Sequence, residues 1–236
     1  MKSEASESMT KALIVATNTP KFNNVDRATG LWLHEATHFN QVMTDNEIDV
    51  DYMSPEGGYI PLDPLCLSAD NMDQVDWDHY LDATFRDTHL ANSLKPESVN
   101  SADYQVIYFA GGHGAMWDFP ENKELAGIAE QIDQNGGIIA ANCVGVTALL
   151  AMRKRDGNRF TSGRQLTSFT NDEEALNGLT SEVKFLPEDE LRKTGAKFVK
   201  GDAFKPNVVV DDHLITGQNP NSATAVGEAV IKDLLK

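Results

Sequence analysis

Apolar positions fall into two rhythms along the chain. Lys11-Ala-Leu-Ile-Val-Ala-Thr17 and Tyr104-Gln-Val-Ile-Tyr-Phe-Ala110 are short apolar, β-branched runs, the pattern of strands buried on both faces. Gly136 to Ala141 opens on a Gly-Gly turn and continues in the same way, and Ile48 to Met53 alternates with period two. Gln165–Thr170, Val208–Val210 and Leu214–Thr216 read as shorter strands, the last two around a turn at Asp211-Asp212. Between the strands the period lengthens. Gly30–Asn46 predicts a helix with Leu31, Ala36, Phe39 and Met43 near one face, and Glu121–Asn135 predicts another with Pro120 near its start. Val144–Met152 is an apolar, helix-like run. Helical stretches also begin at Asp172, cover Pro187–Thr194 and close the chain at Ser222–Lys236. Strands alternating with helices predict an α/β fold with a doubly wound, mostly parallel sheet. In such sheets ligands bind beyond the carboxyl ends of the strands.

The stretches between these elements are polar. Asn18–Thr29 and Ser54–Asp63 are punctuated by Asn, Pro and Gly and read as loops. Residues 68–100 are acidic but carry Trp77, Tyr80, Leu81, Phe85 and Leu90 at helical spacing. They predict a helical insertion packed on the domain, its charges forming a solvated face with no binding role. Residues 1–10 read as a flexible tail before a single domain over 11–236.

Composition narrows the function classes. Twenty Lys and Arg stand against 36 Asp and Glu, a net charge of −16 over 236 residues. Such a chain lacks the basic face that nucleic acid requires. No apolar run reaches the length of a membrane span, and the N-terminus lacks the apolar core of a signal peptide. Only Cys66 and Cys143 are present, so no disulfide framework forms, and a reducing cytoplasm is the simple reading.

Cys143 stands where a strand gives way to a helix-like run, the geometry of a nucleophile elbow. A helix N-terminus behind it favours thiolate over thiol. The alternative is a small buried apolar residue, which most free cysteines are; Cys66, in a loop after Pro64-Leu65, is read that way. Gly112, His113 and Gly114 also follow a strand. Their amides, with that of Val144, form an oxyanion-hole candidate, or else a turn built for tight packing. Glu35 and His38 lie three apart on the first helix, on one side of it. Glu35 is placed to bond a sulfur; two metal ligands are too few for a site, and surface ion pairs are the commonest use of such residues.

Taken together, Ala12–Thr17, Thr29–Phe39, Ser54–Gly58, Pro61–Pro64, Ala110–Gly114, Asn135–Cys143, Ser168–Glu174 and Leu214–Pro220 resemble the PfpI intracellular protease/amidase superfamily. The branch most resembled holds the heat-shock-protein-31-like chaperones and glyoxalase III. The resemblance implies a class I glutamine-amidotransferase-like, flavodoxin-like sandwich, a homodimer and no cofactor. It implies a nucleophile at Cys143, a glutamate bonded to the sulfur at Glu35, and loop amides at Gly112 to Gly114. It also implies a histidine directly after the cysteine, oriented by an acid matched by Glu174, with Glu173 as neighbour. The family's Cys-His-Gly-Pro reads Cys143-Val-Gly-Val146 here, so the implied triad lacks its base, unless His113 or His38 substitutes by proximity.

Two classes of function follow. One is a glyoxalase III- or amidase-like enzyme acting through Cys143 on small carbonyl compounds such as 2-oxoaldehydes, with Glu35 handling the proton. The other is a non-enzymatic stress protein, a chaperone or cysteine-oxidation sensor, or a degenerate ligand-binding paralogue. Peptidase activity is disfavoured, because the cysteine has no adjacent base.

Overall fold

The computed structural model describes residues 10–236. The tail expected over 1–10 lies outside them, apart from Thr10. Six strands form the main sheet, in the order β2-β1-β3-β4-β8-β7. These are β1 (Lys11–Val15), β2 (Asp49–Met53), β3 (Val106–Phe109), β4 (Ile138–Asn142), β7 (Val208–Asp211) and β8 (Leu214–Gly217). β2, β1, β3, β4 and β8 run parallel; β7 is antiparallel to β8, reached by a tight turn with Asp212 at φ 56°. β5 (Gln165–Leu166) and β6 (Lys197–Phe198) make a separate parallel pair, so only the first two residues of the strand expected over 165–170 are extended ladder.

Both faces of the sheet are covered, as the continuous apolar strands require. Leu13, Val15, Ile107, Phe109, Ile139 and Ala141 point to one side. They pack on α5 (Lys123–Gln134) through Leu125, Ala129 and Ile132. Ala12, Ile14, Tyr108, Ala140 and Ile215 point to the other, against α1 (Leu33–Asp45) and α8 (Ala223–Leu234) through Phe39, Met43, Val226 and Val230. The result is a three-layer sandwich. The acidic segment winds as α2 (Gln74–Leu81), a single turn α3 (Ala83–Phe85) and a π-helical turn Arg86–Leu90. α4 (Ala115–Asp118), α6 (Asn171–Leu176) and α7 (Pro187–Lys193) are short elements around the carboxyl ends of the strands. No helix among the described residues is long and apolar enough to cross a membrane.

Several element boundaries differ from the pattern-based expectation, and three of them have a clear local reason. α1 begins at Leu33 and not Gly30, because the backbone of Leu31 pairs with the loop beyond β2: its N–H donates to Pro61 O at 2.8 Å and its carbonyl accepts from Asp63 N at 3.0 Å. α5 begins at Lys123 because Asn122 caps it, its side chain accepting from the N–H groups of Glu124 and Leu125. The run after Cys143 is a 3₁₀ helix, Cys143–Leu150, nearly all of it buried. Its tight winding lies directly over the end of β3: a Cβ on Gly145 would stand 2.3 Å from Phe109 O.

That approach yields a test. Gly145→Ala has no flexible neighbour to displace, so it is expected to destabilise the fold by about 1–3 kcal/mol. Urea unfolding of the two proteins measures it; an unchanged midpoint would mean that the segment is free to move away from β3.

Candidate active site

The site lies at the carboxyl end of the sheet, where the chain leaves β1 towards β2 on one side and β3 lies on the other. Such a switch point opens a crevice in doubly wound folds. β4 delivers Cys143 there with φ 54°, a left-handed conformation that costs a non-glycine residue energy. The strained turn is the elbow expected from the sequence. Ser168 Oγ donates to Cys143 O at 2.8 Å, and Asn142 Nδ2 donates to Asn219 O at 2.9 Å, so the turn is held on both sides.

Glu35 reaches the elbow from the first turn of α1 and is fully buried. Gly111 N–H donates to its Oε2 at 2.7 Å, while its Oε1 makes no hydrogen bond of ordinary geometry, with Cys143 and Asn142 as its neighbours. Gly111 makes the approach: a Cβ there would fall 2.8 Å from Glu35 Oε2 and 3.0 Å from Cys143 Cβ. Burial pushes the Glu35 carboxyl up to about 7, opposed by the Gly111 N–H and the neighbouring thiol. An uncompensated buried carboxylate oxygen is costly, so Oε1 is the atom at which Glu35 takes up a proton.

The thiol corrects the expectation of a ready thiolate. Cys143 is 5% exposed, and burial pushes its thiol well above the ordinary range, with the carboxylates of Glu35 and Glu173 adding to the shift. The Val144 N–H opposes this but is outweighed. One helix-terminal amide does not offset removal from water beside two acids. Cys143 and Glu35 therefore act as a coupled pair contending for a proton.

The second correction concerns histidine. Val144, directly after the cysteine, is buried and apolar. Glu174, in α6, turns instead to His113 on the glycine loop after β3. His113 Nε2–H donates to Glu174 Oε1 at 2.9 Å and to Oε2 at 3.1 Å. A carboxylate only accepts, so this bond places a proton on Nε2; in the neutral imidazole the lone pair then sits on Nδ1. Among the described residues Nδ1 makes no hydrogen bond, and the imidazole lines the same cavity as Cys143. Phe22 and Phe169 flank the ring, at centroid distances of 5.6 and 6.0 Å. Of the two histidines open to replace the missing base by proximity, the structure brings His113 to the cavity and turns His38 to Asp73 and Thr224.

Glu173 belongs elsewhere. It closes a capping box with Thr170 and accepts from Phe204 N, Gln218 Nε2 and Asn219 Nδ2. Gly112, at φ 106°, permits contact with α1's leader: a Cβ would stand 2.1 Å from Gly30 O. Gly114 is packed with similar tightness against Thr17 and Thr19, where Asp118 accepts from Thr17 Oγ1 at 2.7 Å and Asn18 N at 2.8 Å. Cys66 is buried away from the elbow, its thiol 3.8 Å from Leu31 O and pushed up to about 12 by burial, as suits a structural residue. His38 does not approach Cys143; it turns to Asp73 and Thr224. A cavity of about 400 Å3 opens between Cys143, Val144, Gly112, His113, Trp32 and Phe204, a volume suited to a small ligand.

Comparison with known proteins agrees with this fold. The model of the DJ-1/PfpI family matches residues 33–233. Glutathione-independent glyoxalase HSP31 of Saccharomyces cerevisiae is 33% identical over 204 residues, covering 83% of this chain and 85% of the relative. Glyoxalase 3 of Candida albicans is 26% identical over 232 residues, 94% of this chain and 98% of the relative. The crystal structure of glyoxalase III from that organism superposes with a TM-score of 0.88, covering 96% of this chain and 98% of its own. Rapid Encystment Protein 24 kDa of Francisella tularensis superposes with a TM-score of 0.92 at 36% identity, covering 97% of this chain and all of its own.

The buried carboxyl sets a pH dependence of stability. Glu35 titrates at about 7 when folded and near 4.5 when exposed. The unfolded chain therefore loses this proton first, and stability falls as pH rises from about 4.5 to 7. A gap of this size corresponds to roughly 3 kcal/mol. Glu35→Gln is expected to remove that part of the decline; chemical unfolding at pH 4.5 and 7.5 measures it, and identical declines in both proteins would refute the assignment.

Proposed function

The chain belongs to the DJ-1/PfpI family, and from that premise we propose that it is a glutathione-independent glyoxalase converting small 2-oxoaldehydes to 2-hydroxy acids. The observation that carries the reading is the convergence of Cys143, Glu35 and the Glu174-oriented His113 on one small cavity. The named activity of the yeast relatives supports it.

In this reading Cys143 Sγ adds to the aldehyde carbon as Glu35 accepts the thiol proton. Their contact, and a carboxyl titrating near neutrality, suit that exchange. The hemithioacetal oxygen takes the developing charge, with the N–H groups of Gly112 and Val144 as donors. His113 Nδ1 then removes the proton from the former aldehyde carbon and returns it to the neighbouring carbon, while Glu35 gives the thiol proton to the ketone oxygen, leaving a thioester of the 2-hydroxy acid. Water hydrolyses the thioester, releasing the 2-hydroxy acid and restoring the thiol. The net reaction adds one water and needs no redox partner, so no cofactor is called for. Glu174 keeps His113 in the tautomer with Nδ1 unprotonated, as a triad acid does. The base is thus supplied by the loop after β3, and the apolar Val144 is no obstacle.

The buried thiol weighs against an oxidation sensor, since susceptibility follows thiolate character and exposure. A homodimer in the reducing cytoplasm belongs to the same reading, supported by the family resemblance and by two free cysteines.

Methylglyoxal turnover, followed as lactate formation, tests the proposal. Cys143→Ala is expected to abolish it. His113→Ala is expected to lower kcat by about 100- to 10,000-fold, the usual worth of a general acid–base group, and Glu174→Gln to lower kcat with a displaced pH profile. Turnover by the Cys143→Ala protein equal to wild type would overturn the reading; a fully active His113→Ala protein would remove the relocated base.

A further inference from the structure

The acidic segment does more than cover the sheet. α1 carries His34-Glu-Ala-Thr-His38, an H-E-x-x-H spacing that sets two imidazoles one turn apart on one face. Their rings stack at 3.7 Å between centroids. The fold brings Asp73 and Asp76, at the start of α2, against them. One ligand atom from each of the four residues lies within 4.8 Å of every other. His34 Nδ1 is 2.9 Å from Asp76 Oδ2, and His38 Nε2 is 3.1 Å from Asp73 and 3.8 Å from Asp76 Oδ1. Ligand bonds of about 2.0–2.1 Å place the corners of a tetrahedral zinc site roughly 3.3 Å apart, so the histidine–aspartate spacings are near those edges and the wider pairs draw in on binding.

The surroundings hold the four side chains in place. His38 Nδ1 is 2.9 Å from Thr224 Oγ1 of α8, which aims Nε2 into the cluster. Thr37 Oγ1 donates to the buried Asp76. Asp73 and Asp76 form the capping box of α2, each accepting from the other's backbone N–H. Outer partners of this kind fix ring orientation and carboxylate geometry at metal sites. Two carboxylates balance a dication, and imidazole selects zinc and its neighbours over magnesium or calcium. Asp73 is half exposed, so a path from solvent exists.

We propose that His34, His38, Asp73 and Asp76 form a zinc-class divalent metal site that clamps α1 to α2 at the rim of the catalytic cavity. The site is not that of a metallopeptidase. In that motif the glutamate serves the metal-bound water, whereas Glu35 is turned to Gly111 and Cys143. His34 and Asp73 line the cavity wall, so the ion braces the pocket without entering the proposed chemistry.

Chelator-stripped full-length protein titrated with Co2+ provides the test. One equivalent is expected to bind with the intense visible bands of four-coordinate cobalt, to be displaced by Zn2+ and not by Mg2+, and to raise Tm. His38→Ala is expected to abolish the bands. Thr224→Val leaves all four ligands in place and is expected to weaken binding about 10- to 100-fold, with circular dichroism confirming the fold of each variant. Absence of stoichiometric Co2+ or Zn2+ binding to the wild-type chain, or binding unchanged in both His38→Ala and His34→Gln, would overturn the site and leave a hydrogen-bonded rim.

Discussion

The interaction on which the site depends is the burial of a carboxyl against a thiol. Glu35 and Cys143 come from opposite sides of the sheet's edge and meet across Gly111, with no water-exposed group between them. Desolvation raises both protonation constants, so neither ionises freely. Ionisation of one is set by the other and by what enters the cavity. A carboxyl near neutrality is a better proton exchanger than one fixed in either state. The cost of holding such a pair dry is met by the sandwich around it, whose strands are buried on both faces.

Close backbone approach is the second condition. Gly111, Gly112, Gly114 and Gly145 lie where a Cβ would collide with backbone or with the side chains of Glu35, Cys143 or Thr17. These contacts draw the ends of β1, β3 and β4 and the start of α1 together. The strain at Cys143 is sustained by the same packing, with hydrogen bonds from Ser168 Oγ to Cys143 O and from Asn142 to Asn219 flanking the turn.

His113 shows that the orienting acid keeps an imidazole partner without the motif histidine. The Cys143-Val144 pair removes the base from its expected place in the chain. Glu174 nonetheless has an imidazole to orient, because the loop after β3 lies within reach of α6. Adjacency in sequence and adjacency at the site are separate properties. H-E-x-x-H makes the same point from the other direction. Its two histidines and its glutamate face different partners, and the acidic residues that complete the cluster lie 35 or more positions away.

The sequence by itself determined the layer architecture, since apolar runs of strand length alternating with amphipathic helices admit few other arrangements. It also determined the elbow cysteine, the glycine loop, Glu35 and the family, because these lie in short, contiguous motifs. Tertiary structure alone decided which side chains meet. Periodicity carries no record of contacts between distant segments, so His113 with Glu174, or His38 with Asp73, had no local signal. It decided the ionisation of Cys143 as well, because local position at a helix start favours thiolate while burial, a property of the whole fold, opposes it. Element ends shifted for the same reason: Leu31 joins the loop near Pro61, and the run after Cys143 winds tightly over β3, through contacts that no window of sequence contains.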